Sequence, residues 1–273
     1  MNDTPTWMKD TSDQPPAPEI DTSVPHSARI WNYWMGGKDN FQADRDAGDA
    51  VAEAYPDIVL MAKESRQFLI RVVSFLAGEV GINQFLDVGT GLPTMQNTHE
   101  VAQRIAPDSR IVYVDNDPLV LAHARALLAD TTPDGVTAYV DADYHNPDVI
   151  LADARNVLNF NRPVAVMFMG VLGYVSDFEE MRSIVSRLID PFPSGSYLVL
   201  WDGTDTGPAV VEGGEKLAEA GGVPYHLRSP EQLAQCFEGL EMVEPGLVPI
   251  TTWRAESDDV THIDAYGAVA RKP

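Results

Sequence analysis

The chain has 273 residues, 44% hydrophobic and 22% charged, a composition typical of a globular protein with one large domain or two small ones. Its 19 basic and 41 acidic residues give a formal net charge of −22, which disfavours binding to nucleic acids and to anionic membranes. A single cysteine excludes an internal disulfide framework, and no apolar run approaches the roughly 20 residues that span a bilayer. Because no basic and apolar leader is present, we expect a cytoplasmic protein.

The N-terminal part of the chain predicts a tail followed by helices. Residues 1–24 are rich in Pro, Asp, Ser and Thr and predict a disordered tail. Residues 25–80 have apolar positions at helical spacing, interrupted at Gly36-Gly37 and again at Tyr55-Pro56. This segment contains no convincing strand, so it predicts a helical cover or lid over the rest of the chain.

Residues 81–273 alternate between short Val, Ile and Leu runs and amphipathic helices. This alternation predicts an α/β fold with a doubly wound, mostly parallel sheet. Asn97 with Glu100 forms a capping-box pattern that starts one helix, and Ser229 followed by Pro230 starts another. The predicted strands in chain order are QFLDVG, RIVYVDND, GVTAYVDAD, PVAVMFMG, SYLVLWDG, LEMVEPGLVPI and DAYGAVARK.

The turn DVGTG follows the first of these strands, at the place where doubly wound sheets bind ligands. Its glycines allow the backbone to approach a ligand closely. A dinucleotide loop would carry a third glycine where Thr94 stands, and a phosphate loop would carry a lysine that is absent. The acidic side chain before the glycines suits an amino group better than a pyrophosphate. The candidate ligand contacts in this turn are Asp87, Gly89, Thr90 and Gly91.

The next three strands end in acidic or apolar residues. The second ends in DND, whose carboxylate can accept both hydroxyls of a ribose, and the third in DAD, whose carboxylates Asp141 and Asp143 compete as acceptors from an adenine amino group. The fourth ends in apolar residues that can pack a purine. Together these features describe an amino-acid-bearing nucleoside, S-adenosylmethionine. The cofactor candidates at these ends are Asp115, Asn116, Asp143, Met169 and Gly170.

Several longer segments carry a resemblance to a known family, namely SARIWNYWMGGKDNFQADR, FLDVGTGLPTMQNTHEVAQ, VYVDNDP and RPVAVMFMGVLGYV. They resemble the bacterial S-adenosylmethionine-dependent methyltransferase family long catalogued as a domain of unknown function. The resemblance covers residues 25–272. It implies a class I, Rossmann-like methyltransferase domain over residues 81–273, the helical cover in front of it, and a small-molecule acceptor.

The chain also departs from this family's pattern. Gly173 stands where the family commonly has a histidine, and Trp201-Asp202 stand where a Ser-His pair is usual. A histidine base therefore does not carry over, which favours a neutral amine or an electron-rich aromatic carbon over a phenol as acceptor. We expect C- or N-methylation of an aromatic or indole-containing secondary metabolite. An NAD-dependent oxidoreductase, a catalytically inactive S-adenosylmethionine-binding regulator and a homodimeric arrangement stay open as alternatives.

Aromatic residues supply the remaining candidates. The cluster in WNYW is at helical spacing, which is typical of a core as well as of a binding surface, and Tyr33 is also a candidate for contact with the sulfonium by a cation–π interaction. The glycine pair after it predicts that residues 31–41 close over the cofactor. His99 and His145 lie near strand ends, and the histidines show no metal-binding spacing. The catalytic candidates are Tyr33, Tyr174 and Asp202, and the substrate-binding candidates are Trp31, Trp34, Leu172 and Trp201.

Overall fold

The computed structural model of the chain describes residues 20–93, 96–127, 133–256 and 261–273. Residues 1–19, which form most of the predicted tail, lie outside the described residues, as does Thr94 of the glycine loop. Within the described ranges, no helix is both long and apolar enough to cross a membrane.

One sheet forms the centre of the molecule. Its strands are β1 (Gln84–Val88), β2 (Arg110–Asp115), β3 (Val136–Asp141), β4 (Ala165–Met169), β5 (Tyr197–Gly203), β6 (Glu241–Met242), β7 (Val248–Pro249) and β8 (Ala265–Arg271). Their order is β3-β2-β1-β4-β5-β8-β6, and β7 also pairs with β8. β1 to β5 are parallel, whereas β8 is antiparallel to its neighbours β5, β6 and β7. The predicted doubly wound, mostly parallel sheet is confirmed.

Helices cover the sheet and connect its parallel strands. They are α1 (Ser27–Trp34), α2 (Gln42–Ala54), α3 (Ile58–Ser74), α4 (Thr98–Ile105), α5 (Pro118–Leu127), α6 (Pro147–Ala154), α7 (Phe178–Ile189), α8 (Pro208–Glu219) and α9 (Pro230–Gln235). Two of them begin as their caps predict. The Asn97 amide donates to Glu100 Oε2 at 2.7 Å before α4, and Ser229 Oγ accepts from the Gln232 amide before α9.

Alternating side chains of the strands divide the core into two layers, one on each face of the sheet. Phe85 and Met167 point into a layer shared with α1, α2 and α3. Leu86 and Phe168, the next residues along the same strands, point into a layer shared with α6 and α7. The strands at the centre are therefore buried on both sides, which explains their continuous apolar runs.

The N-terminal helices are joined by one buried carboxylate. Asp44, on α2, is fully buried and accepts a hydrogen bond at 2.8 Å from each of two backbone amides, those of His26 and Phe41. These amides lie at the starts of α1 and α2, so one side chain satisfies an otherwise unpaired donor at both helix ends. Asp44 thus ties the starts of α1 and α2 to each other.

Two predicted elements differ from the structure. The helical spacing after Tyr55-Pro56 predicts one long helix from about Ile58 to Ala77, but α3 changes into a π-helical turn over Phe75–Val80 and ends at Gly81, whose φ of 84° only glycine adopts easily. The single strand predicted in LEMVEPGLVPI is wrong, because β6 and β7 contain two residues each. Two prolines in this segment lack the amide that a continuous ladder needs, and Gly246 has a φ of 87°.

Candidate active site

A cleft of about 370 Å³ lies at the carboxyl ends of the parallel strands and is bordered by α1 and α3. This is the point where the strand order reverses, because β1 lies between β2 and β4. The structure brings most of the predicted site residues into its walls. They are Trp31, Asp87, Gly89, Thr90, Gly91, Asp115, Asn116, Asp143, Met169, Gly170, Tyr174 and Trp201.

The glycine loop directs its amides back into the protein. The amides of Gly89 and Thr90 both donate to the carbonyl of Val114, at 2.9 and 3.2 Å, and the amide of Gly91 donates to Asp115 Oδ2 at 2.7 Å. Gly89 and Gly91 adopt φ angles of 73° and 68° to make these contacts. A pyrophosphate site depends on such amides pointing outwards. These three amides therefore do not offer the outward donors of a dinucleotide site.

Asp115 ends β2 and fixes the backbone around it. Its Oδ2 accepts from Gly91, and its Oδ1 accepts from the amide of Asp117 at 2.9 Å. Burial raises the pKa of this carboxyl, although the two backbone hydrogen bonds oppose the shift. A carboxylate oxygen can accept more than one hydrogen bond, so both oxygens retain capacity for a ligand hydroxyl.

Asp87, the last residue but one of β1, is more enclosed than Asp115. Its side chain is 3% exposed, and its Oδ2 accepts a hydrogen bond of 2.7 Å from the Thr98 hydroxyl at the start of α4. Burial raises its pKa to about 6, and the Thr98 hydroxyl and the positive charge of Arg66 limit that rise. The strand and helix α4 thus present one buried acidic group to the cleft.

The end of β3 presents a paired carboxylate and imidazole. Asp143 Oδ1 accepts from the amide of His145 at 2.9 Å and lies 2.6 Å from His145 Nδ1. The Tyr144 ring packs on this imidazole, with the ring centroids 4.6 Å apart. Asp143, Tyr144 and His145 all line the cleft, whereas Asp141 is exposed outside it. Of the two carboxylates that the sequence offers as acceptors from an adenine amino group, Asp143 is the one that lines the cleft.

Two tryptophans meet at the opposite side of the cleft. The rings of Trp31, on α1, and Trp201, on β5, have centroids 5.8 Å apart and an interplanar angle of 35°. A Cβ on Gly170 would lie 2.4 Å from the Trp201 ring, so only glycine leaves room for the indole there. Met169 and Tyr174 complete this aromatic wall.

Four predicted site residues lie away from the walls. The Tyr33 hydroxyl donates to Asp49 on α2 at 2.7 Å, and Trp34 Nε1 donates to the carbonyl of Gly48 at 3.1 Å. Both side chains therefore belong to the α1–α2 contact. Leu172 is buried in the core, and Asp202 is 2% exposed with its Oδ1 accepting from the Gly203 amide at 3.0 Å. The assignment of these residues to a site is not supported by their positions.

The turn after α1 is organised by one asparagine. Asn32 Oδ1 accepts hydrogen bonds from the Asp39 amide at 3.1 Å and from Asn40 Nδ2 at 3.0 Å. The Asn32 carbonyl also accepts from the Gly37 amide at 2.8 Å, and a Cβ on Gly37 would overlap the Asn32 side chain. The second glycine of the pair is therefore needed for close packing.

An ion pair fastens α1 to the end of β2. His26 Nδ1 lies 2.8 Å from Asp117 Oδ2, and Arg29 Nε lies 3.8 Å from the same oxygen. Burial alone would raise the pKa of Asp117, but the hydrogen bond and charge of His26 outweigh it and hold this pKa below its ordinary value. His26 also lines the cleft, so the cover and the second strand share one edge of the site.

The sequence predicted Trp31 in the wall of the cleft, but not the polar residues that α1 and α3 also contribute to it. His26 and Ser27 at the start of α1, and Ser65 and Arg66 on α3, all line the cleft. One signal was available for Arg66. Arg66 lies on the same face of the helix as Ala62, four residues before it, and Leu69, three residues after it, and both of these are buried. A charged residue on an apolar helix face indicates a special role.

The chain matches a family and several solved structures. The sequence pattern of the S-adenosyl methyltransferase family matches residues 13–273. A DUF574 family protein from Streptomyces avermitilis MA-4680 is 44% identical, with 93% of this chain and 100% of that chain covered and a TM-score of 0.89. A methyltransferase candidate from Thermobifida fusca YX is 41% identical, with 92% and 96% covered and a TM-score of 0.85. Among proteins with curated descriptions, no significant match was found.

A more distant structure supports the fold. The magnesium protoporphyrin IX methyltransferase of Synechocystis PCC 6803, solved with bound S-adenosylmethionine, has a TM-score of 0.52 at 12% identity, with 89% of this chain and 90% of that chain covered. The sheet order and the cleft at its switch point define the class I, Rossmann-like methyltransferase fold. The chain belongs to the S-adenosyl methyltransferase family, and it is an S-adenosylmethionine-dependent enzyme.

Proposed function

We propose that the cleft between the strand ends and helices α1 and α3 binds S-adenosylmethionine and a small aromatic acceptor. The carboxylates support this placement of the cofactor. Asp115 would accept from the ribose hydroxyls beside Asn116, and Asp143 would accept from the adenine amino group. Asp87, which is more deeply buried, would face the ammonium group of the methionine part.

The loop amides fit this cofactor better than a dinucleotide. The amides of Gly89, Thr90 and Gly91 donate within the protein, so a ligand without phosphates leaves none of these three donors unsatisfied. Gly170 and Met169 offer an apolar surface beside these acidic groups. Inward-directed loop amides, acidic strand ends and an apolar surface together favour a nucleoside that carries no phosphate.

The acceptor is proposed to lie against Trp31 and Trp201. Trp31 is partly exposed and offers flat apolar area that suits an aromatic or indole-containing metabolite. Trp201 is 2% exposed and supports it from behind, with the ring centroids 5.8 Å apart. Burial raises the pKa of Tyr174 and of Tyr144, so both phenols keep their protons at neutral pH, as ordinary tyrosines do, and neither offers a phenolate base. That supports an acceptor that needs no strong base, namely a neutral amine or an electron-rich carbon.

The residues of the chain would act mainly by alignment. S-adenosylmethionine supplies, when bound, a methyl group that its sulfonium already activates. The carboxylates would hold the nucleoside in position. The tryptophan wall would hold the acceptor ring and exclude water from the space between the acceptor and the cofactor. Such positioning accounts for a large part of the rate in reactions whose donor is already activated.

An acceptor panel tests the substrate class. We expect methyl transfer to indoles and aromatic amines, detected by mass spectrometry of the products with methyl-labelled S-adenosylmethionine. Phenols of the same size are the matched comparison and are expected to react at least about tenfold more slowly, a difference of about 1.4 kcal/mol in the barrier. Transfer confined to phenols, or to protein or nucleic acid, would contradict this substrate class.

Asp115→Ala tests the placement of the nucleoside. Loss of a charge-assisted hydrogen bond costs about 1.5–3 kcal/mol, so S-adenosylhomocysteine should bind about ten- to a hundredfold more weakly in titration calorimetry. Asp141→Ala is the control, because Asp141 pairs with Asp115 in the register of β2 and β3 but is exposed outside the cleft. Equal affinity of the two variants would show that the ribose binds elsewhere.

A further inference from the structure

One half-exposed apolar side chain lies in the wall of the cleft. Val223 belongs to the segment 221–226 between α8 and α9, and it lines the cleft although 51% of its surface is exposed. The other large hydrophobic side chains that are exposed in the described ranges, among them Val149 and Val211, lie outside the cleft walls. Single exposed apolar residues are common on protein surfaces, but ligand pockets are lined mainly by apolar side chains. At this position, Val223 can therefore contact a ligand.

Tyr225 anchors the segment that carries Val223. The Tyr225 hydroxyl donates to the carbonyl of Gly170 at 3.4 Å and accepts from the amide of Gly203 at 3.3 Å. Gly170 directly follows β4, and Gly203 is the last residue of β5. One side chain therefore joins the segment to the ends of both strands.

Two glycines leave the space that the Tyr225 ring fills. A Cβ on Gly173 would lie 2.3 Å from Tyr225 Cζ, and a Cβ on Gly203 would lie 3.2 Å from Tyr225 Cε1. Neither glycine has a positive φ, so the ring, and not the backbone conformation, favours glycine at both positions. Tyr225 also meets Tyr174 edge-on, with the ring centroids 4.9 Å apart. Because Tyr174 lines the cleft, the anchor is in direct contact with the aromatic wall.

The position of this anchor in the sheet restricts what Val223 can contact. β4 and β5 lie on one side of β1, whereas β2 and β3, which end in Asp115 and near Asp143, lie on the other side. The segment 221–226 therefore borders the half of the cleft that contains Trp201, and not the half that contains these carboxylates. A valine side chain has no hydrogen-bonding group, so its complement is an apolar surface such as the face of an aromatic ring.

We propose that Val223 contacts the aromatic ring of the acceptor and that Tyr225 is a positioning residue, which holds the segment of Val223 against the aromatic wall. The inference rests on the acceptor placement proposed above, and it adds an apolar contact from the loop between α8 and α9 to those of Trp31 and Trp201. The acceptor ring then lies between side chains of the N-terminal helices and of the C-terminal half of the chain. The segment sets the affinity for an aromatic acceptor and leaves cofactor binding unchanged.

Binding of a fluorinated indole tests this contact without turnover. The probe, 5-fluoroindole, is titrated into the protein saturated with S-adenosylhomocysteine, and its affinity is measured by fluorine NMR. Val223→Ser should weaken the binding of 5-fluoroindole about three- to tenfold, because a polar side chain replaces the apolar contact. The affinity for S-adenosylhomocysteine, measured by titration calorimetry, should change by no more than about twofold. Val211→Ser, which alters an exposed valine of α8 outside the cleft walls, should change neither affinity.

A double-mutant cycle tests the role of Tyr225. Tyr225→Ala should weaken the binding of 5-fluoroindole by the same factor as Val223→Ser, whereas Tyr225→Phe, which keeps the ring, should stay within about twofold of the unsubstituted protein. When Tyr225→Ala is added to Val223→Ser, the further loss should be no more than about twofold, because Tyr225 acts through Val223. Tyr225→Leu repeats the cycle if the alanine variant fails to fold.

Other outcomes overturn the proposal in distinguishable ways. An unchanged affinity of Val223→Ser for 5-fluoroindole would show that Val223 does not contact the acceptor, and weaker binding by Trp31→Ala in the same assay would show that the acceptor placement still holds. Additive losses in the double variant would show that Tyr225 does not act through Val223. Weaker binding of S-adenosylhomocysteine by Val223→Ser would assign the segment to the cofactor. If the unsubstituted protein binds no 5-fluoroindole, the acceptor placement and this inference are both refuted.

Discussion

Replacing Arg228 by methionine is expected to lower the free energy of unfolding by about 3–5 kcal/mol, the largest effect among the substitutions considered. Arg228 is 5% exposed and donates to three carbonyls, those of Leu172 at 3.3 Å, His226 at 3.0 Å and Val175. It also supplies the main positive charge acting on the buried carboxyl of Asp202. Methionine fills similar space but leaves the carbonyls unpaired and the carboxyl uncompensated.

The pH dependence of stability should report on the same pair. Burial raises the pKa of Asp202 to about 7 from its ordinary value of 3.8, even with Arg228 nearby. The native state therefore holds this proton more tightly than the unfolded chain. The resulting stability is fully present below about pH 4 and is lost as the pH rises through about 7. Asp202→Asn removes this titration. Relative to the unsubstituted protein, the variant should therefore gain free energy of unfolding as the pH rises from about 4 to about 7.

Urea denaturation at several pH values measures both effects. The double variant Arg228→Met with Asp202→Asn should recover part of the loss, because the asparagine carries no charge to leave uncompensated. Arg182→Met is the control, since its ion pairs with Glu179 and Glu238 lie at the surface and should contribute under about 1 kcal/mol. A loss of similar size in Arg182→Met and Arg228→Met would contradict the proposed role of burial.

The strand ends of the site were predictable because they follow from local rules. A run such as QFLDVG reads as a buried parallel strand, and its carboxyl end must lie at one edge of the sheet. Asp87, Asp115 and Asp143 then converge without any knowledge of tertiary packing. The breaks in the C-terminal strands were equally local, but the apolar pattern of LEMVEPGLVPI outweighed its prolines in the prediction.

The contributions of α1 and α3 could not be assigned in this way. Whether Trp31 or Trp34 faces the cleft depends on the rotation of α1 against α2, which the helical spacing of aromatic residues leaves undetermined. The structure places Trp34 against Gly48 and leaves Trp31 for the cleft. The position of Arg66 depends likewise on how α3 lies over β1. These packing relations join residues far apart in the chain.

Asp202 shows a second limit of reading the sequence. Its place at the end of β5 predicts a site residue by the same rule that places Asp115 at the cleft. The structure instead buries it, with one carboxylate oxygen bonded to the Gly203 amide and the other without a hydrogen-bond partner. Burial of this kind is set by the segment that carries Arg228, which packs over the strand end. A strand end alone does not determine which carboxylates meet the ligand.

Gly89→Ala is expected to lower the free energy of unfolding by about 2–4 kcal/mol, as the sum of backbone strain and overpacking. Gly89 has a φ of 73°, which an alanine adopts only at a cost. The new Cβ would also lie 2.4 Å from Val171 Cγ2 and 2.7 Å from Val171 Cβ. A valine cannot rotate both atoms away, so the two segments must move apart.

Gly91→Ala separates these two contributions. Gly91 has a similar φ of 68°, but a Cβ there would meet nothing within 4 Å, so only the backbone strain of about 1–2 kcal/mol remains. Urea denaturation of the two variants measures the difference in stability. Because Val171 lines the cleft, its displacement by Gly89→Ala should also weaken S-adenosylhomocysteine at least about tenfold relative to the unsubstituted protein in titration calorimetry. Equal losses of stability in the two variants would show that the first glycine serves the backbone conformation alone, whereas a larger loss at Gly89 would identify close packing against Val171 as the reason this position holds no side chain.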